Sequence, residues 1–100
     1  MKKTLKSGPF KYDVLFQRTD SDHGATCTDK KLIIIDNKKS LQNQKETFLH
    51  EILHVCVEDF PGFDSDNVLK DPEEALIRLT SPRLMQILKD NKWVREFLFE

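Results

Sequence analysis

Two spacings of apolar residues divide this chain. Up to Asp36 the apolar positions come at a period near two or in short blocks, as in strands; from Leu41 onward they recur every three to four residues, as on amphipathic helices. Tyr12-Asp13-Val14-Leu15-Phe16 is β-prone and predicts a first strand. Thr19-Asp20-Ser21-Asp22-His23-Gly24 then breaks the chain with polar residues. Residues 25–28 and 31–36, joined by a turn at Asp29-Lys30, predict an antiparallel hairpin. Its second strand, Leu32-Ile33-Ile34-Ile35, is almost entirely apolar. That pattern calls for cover on both faces, or for cover on one face with the other able to receive something.

The helical half starts at Leu41, with Ser40 as N-cap, and runs to about Glu58. On a helical wheel Leu49, Ile52, Leu53 and Cys56 gather on one side, which is the expected core face. Phe60-Pro61-Gly62 ends this helix, and a polar loop covers residues 63–70. Asp71-Pro72-Glu73-Glu74 carries the marks of a helix start: Asp at the N-cap, Pro at the first helical position, Glu three residues after the cap. The second helix continues through Thr80, kinks or restarts at Ser81-Pro82, and carries Leu84, Ile87 and Leu88 to Asp90-Asn91. Trp93, Val94, Phe97 and Leu98 predict a short last helix folded back onto the core. The expected fold is α+β: a small antiparallel or mixed sheet of about three strands packed on helices. Residues 10–100 form one domain behind a loose basic start at residues 1–9.

Composition narrows the partners. Sixteen Lys+Arg against 17 Asp+Glu leave a net charge of -1, and each Lys pair is offset by acids elsewhere, so no basic face is expected for nucleic acid. Met1-Lys2-Lys3-Thr4 begins like a signal-peptide head, but Lys6, Ser7, Gly8, Pro9 and Lys11 interrupt any apolar stretch. The longest apolar run, Leu32 to Ile35, falls far short of the ~18 residues of a membrane span. A cytoplasmic chain without a membrane partner is expected. Cys27 and Cys56 have no partner motif and fit reduced thiols better than a disulfide.

The chemistry is concentrated in His50-Glu51-Ile52-Leu53-His54 on the first helix, an H-E-x-x-H. Histidines at i and i+4 lie one turn apart on one face, close enough for both imidazoles to reach one Zn2+. The Glu beside the first His lies at the edge of that face, where its carboxylate can touch a metal-held water without being a ligand. Both histidines project away from the Leu49/Ile52/Leu53/Cys56 stripe, whereas a core histidine pair would lie within it. The competing readings are surface histidines on an amphipathic helix and a purely structural metal site.

His50-Glu51-Ile52-Leu53-His54 behind a strand hairpin, followed by Glu73-Glu74-Ala75-Leu76-Ile77-Arg78-Leu79 and Leu84-Met85-Gln86-Ile87-Leu88-Lys89-Asp90-Asn91, resembles the very small zincin-type metallopeptidases often found in phages and prophages. More distantly it is similar to the ImmA/IrrE type of metallo-endopeptidase. The resemblance covers about residues 24–98. It implies a minimal zincin-like fold, a zinc-dependent peptidase activity on a peptide or protein substrate, and metal ligands from both histidines plus a downstream Glu. Peptide deformylases also use H-E-x-x-H, with a Cys as third ligand, but their glycine-rich and Glu-Gly-Cys segments are absent, which leaves Cys27 as a strand residue.

Two carboxylates compete for the third ligand. Glu74 is three residues after Asp71, where a capping-box Glu reaches back to the cap's backbone N–H. Glu73 lies nearer the Ala75/Leu76/Leu79 face and can lean toward the first helix, which favours Glu73 and leaves Glu74 as cap or as a neighbour of the ligands. His23 and Tyr12 are candidates for binding substrate or an oxyanion; the plainer readings are a surface loop for His23 and packing against the sheet for Tyr12.

The leading functional expectation is a zinc-dependent endopeptidase with Glu51 as general base. The alternative is a non-catalytic zinc-binding interaction module of phage or prophage origin, which keeps the metal for stability. In the first reading the strand 31–36 forms the upper edge of the cleft and pairs with substrate as an added strand; its rival is a central buried strand.

Overall fold

The computed structural model describes residues 2–19, 24–27, 29–58 and 72–100, the side chains of 58, 72–76 and 79 excepted. Among the described residues four strands, β1 (Lys2–Ser7), β2 (Phe10–Gln17), β3 (Gly24–Cys27) and β4 (Leu32–Asp36), precede three helices, α1 (Leu41–Glu58), α2 (Pro72–Asp90) and α3 (Lys92–Phe99). The sheet is mixed, in the order β1-β2-β4-β3. β1 runs antiparallel to β2, β2 parallel to β4, and β3 antiparallel to β4. The chain is therefore α+β, as its patterning predicts, with four strands in place of about three.

The extra strand is β1, in the segment expected to be a loose start. Only Leu5 among Lys2–Ser7 is apolar, so no period of two is legible there. Turn geometry and register create the strand. Gly8, at φ 58°, followed by Pro9 with its ring-fixed negative φ, makes the two-residue turn of type II′ that matches strand twist. Leu5 then enters the core opposite Tyr12.

β4 is central, bonded to β2 on one side and β3 on the other, which overturns the expectation that residues 31–36 form the cleft edge. Its composition explains this: Ile33 and Ile35 are fully buried, and Leu32 and Ile34 are half-buried on the opposite face. Among the described residues the outermost strand on this side is β3. Residues paired across strands share a face, so Gly24 and Thr26 point with Ile35 and Ile33 toward the helices, while Ala25 and Cys27 point away.

The core lies between the sheet and the helices, with Leu5, Tyr12, Val14, Phe16, Ile33 and Ile35 from the strands. α1 contributes Phe48, Ile52, Val55 and Cys56. Leu49 and Leu53, assigned to the core stripe from the wheel, are 39% and 40% exposed. Phe48 sets the rotation: its ring stacks on Trp93 at 5.3 Å and meets Phe16 and Phe97 edgewise at 6.0 and 5.7 Å. Turning α1 to bury both leucines fully would gain roughly 2 kcal/mol, since each is already more than half covered. Withdrawing Phe48 costs about 3–5 kcal/mol, so the aromatic cluster wins.

Ser40 caps α1, its Oγ accepting from the Asn43 amide at 3.2 Å, as the sequence predicts. α2 is helical from Pro72 to Asp90 across Pro82. The polar break at residues 20–23, the helix stop at Phe60-Pro61-Gly62, the loop 63–70 and the Asp71 cap lie outside the described residues.

Candidate metal centre

α1 carries both the core face and the chemical face. At 100° per residue, His50 and His54 fall on the side opposite Phe48, and both are exposed. Their Nε2 atoms approach to 3.2 Å, with ring centroids 4.8 Å apart and the planes tilted by 75°. Zn–N bonds of about 2.0–2.1 Å at the tetrahedral angle require two ligand nitrogens about 3.3–3.4 Å apart. The observed separation thus fits two ligands of one metal ion with almost no movement. The same distance also suits one neutral imidazole donating to the other. A ligand atom of Glu51 lies within 4.8 Å of those of both histidines.

Glu51 is 5% exposed. A buried carboxylate is costly unless a donor meets it. Thr26 of β3 supplies that donor, its hydroxyl Oγ1 donating to Glu51 Oε2. β3 reaches this close because of Gly24: a Cβ there would come within 2.7 Å of the Ile34 carbonyl oxygen and 2.8 Å of Thr47 Cγ2. Gly24 therefore keys the edge strand onto α1 one turn before Glu51.

Sequence reading singled out His50, Glu51 and His54, and the structure brings these three together. Thr26 was missed; the signal that could have found it is strand alternation, which turns Gly24 and Thr26 to the same face. Tyr12 is fully buried in the core with Lys31 Nζ 5.3 Å from its ring, a packing position that matches the plainer of its two readings. Cys27 points to the sheet face away from α1, and Cys56 is buried in the core; no disulfide joins them. His23 lies outside the described residues. Glu73 and Glu74 fall in the first turn of α2, and their side chains lie outside the description.

No described helix is long and apolar enough to cross a membrane. Comparison with protein-family models, curated proteins and solved structures finds no match for this chain. Its fold and site define a small α+β protein with a mixed four-stranded sheet and a metal-competent His-Glu-His group on its first helix.

Proposed function

We propose that this protein is a zinc-dependent metallo-endopeptidase of minimal zincin-like fold, with His50, His54 and Glu73 holding the metal and Glu51 as general base. The observation that carries the reading is the pairing of two converging exposed imidazoles with a buried, hydroxyl-held carboxylate one residue after the first of them. A purely structural zinc site has no use for such a base beside its first ligand. When bound, zinc supplies Lewis acidity to a water and to the scissile carbonyl.

The chain's own groups do the rest. Oε2 of Glu51 is held by Thr26, so Oε1 is the atom that takes the proton of the attacking water and returns it to the departing amine. Among the described residues the edge that an extended peptide can join on this side is β3 rather than β4, because an outermost strand offers unpaired N–H and C=O groups and β4 has none to spare. The substrate is thus an extended stretch of peptide, and two cysteines not joined in a disulfide fit a reducing, cytoplasmic setting.

The deciding comparison is wild type against Glu51→Gln, on fluorescein-labelled casein and by a proteome-wide search for new N-termini after expression. The amide keeps the shape of the carboxylate but accepts no proton, so Glu51→Gln keeps its zinc and loses hydrolysis by orders of magnitude. Equal turnover in the two proteins removes Glu51 from the mechanism. Zinc bound by a wild type that cleaves nothing leaves the non-catalytic module in its place.

A further inference from the structure

Among the described residues, Glu51 receives its hydrogen bond from another element, the edge strand, and not from its own helix. We propose that Thr26 is a positioning residue for Glu51, its hydroxyl fixing Oε2 so that Oε1 is presented to the reacting water; this rests on the peptidase reading above.

Three features make Thr26 suited to the task. Its β-branched side chain is stiff at χ1, so the hydroxyl goes where the backbone sends it. The backbone is located by the sheet, in which Thr26 pairs with Ile33, whose side chain is fully buried. The strand is also in step with the helix. Two residues of β3 advance about 6.6 Å and four residues of α1 about 6.0 Å, so the Gly24–Thr47 approach repeats one step on as the Thr26–Glu51 hydrogen bond. A Glu side chain left to itself samples several rotamers, and a displacement of 1 Å at a reacting group can cost about a hundred-fold in rate. Since Thr26 stands on the outermost described strand, a peptide pairing with β3 stiffens the segment that holds the base. The expected signature is accordingly a loss in turnover with little change in substrate affinity.

The test uses the zinc-loaded full chain with fluorescein-labelled casein as probe. Thr26→Val keeps the shape and removes the donor; Thr26→Ser keeps the donor. Thr26→Val is expected to retain zinc stoichiometry and KM while kcat falls about ten-fold to a hundred-fold, with Thr26→Ser recovering most of the loss. In zinc-free protein, a double-mutant cycle of Thr26→Val with Glu51→Ala, which removes the acceptor, is expected to show midpoints of unfolding that do not add. Wild-type kcat in Thr26→Val, equal losses in the Val and Ser variants, or an additive cycle each overturns the proposal while leaving the peptidase intact. A wild type that binds zinc and cleaves nothing overturns both, and is told apart because no variant is then needed to see it.

Discussion

Asn91 completes the outer edge of β1 as a neighbouring strand would. Its Oδ1 accepts from the Lys6 amide at 2.8 Å, and its Nδ2 donates to the Lys6 carbonyl at 2.8 Å and to the Ile87 carbonyl at 2.8 Å. Trp93 adds a further bond, Nε1 donating to the Thr4 carbonyl at 2.8 Å. The junction of α2 and α3 thereby occupies backbone groups that an exposed edge would offer to other chains, and it does so on the side of the sheet away from β3.

Asn91→Ala is expected to be destabilising by about 2 kcal/mol, because it removes three bonds from a 5%-exposed residue and leaves backbone partners unpaired. For a chain of this size that is a fall of roughly 10 °C in the midpoint of thermal unfolding. A midpoint within 2 °C or so of wild type would show that the β1 edge is held by Trp93 and packing alone.

The 3.2 Å imidazole pair makes opposite predictions for a metal site and for a histidine–histidine hydrogen bond. As a metal site, purified protein carries about one zinc per chain, and zinc at a hundred times its Kd adds about 2.7 kcal/mol to wild-type stability. His50→Ala and His54→Ala lose both the zinc and the zinc-dependent rise in midpoint. Thermal unfolding with and without zinc, beside metal analysis, reads both; a rise that persists in the double variant places the metal elsewhere.

Glu73→Ala is expected to weaken zinc binding more than Glu74→Ala. Both lie in the first turn of α2, where unpaired N–H groups favour any carboxylate, but only Glu74 is spaced three residues from Asp71 as a capping-box residue is. Zinc titrations of the two variants rank them directly, and the reverse order makes Glu74 the ligand.

Asp36 predicts an acid limb in stability. It is buried at the end of β4, and the Lys38 amide, donating to Oδ1 at 3.0 Å, holds its carboxyl below the ordinary value of 3.8. Burial opposes that shift, while the charges of Lys38 and Lys39 and the Thr19 amide reinforce it. A folded-state value below the unfolded one stabilises the protein above 3.8, and the gain disappears as the pH falls through the folded value. Asp36→Asn should therefore unfold at a lower temperature than wild type at pH 7, with the gap closing as the pH drops below 3.8. A gap that is independent of pH assigns the effect to lost geometry and not to charge.

The elements readable from local pattern are those whose signal is local. The period-two run of β2, the apolar β4, the Ser40 cap and the i, i+4 histidines each depend on neighbours within one turn or one strand, so the chain alone determined them and, with them, the pairing of His50 with His54 beside Glu51. Tertiary structure decided what depends on distant partners. β1 has a single core residue and exists because the Gly8-Pro9 turn returns it to β2 and Asn91 closes its outer side, 85 residues away in sequence. The rotation of α1 follows from Phe48 meeting Trp93 and Phe97, which no wheel of α1 contains. The edge passed from β4 to β3 because β4 pairs in parallel with β2, a long-range choice that burial makes and alternation does not record. That last decision also placed Thr26 on Glu51: a hydroxyl and a carboxylate 25 residues apart are joined only once a glycine lets the outermost strand close on the helix.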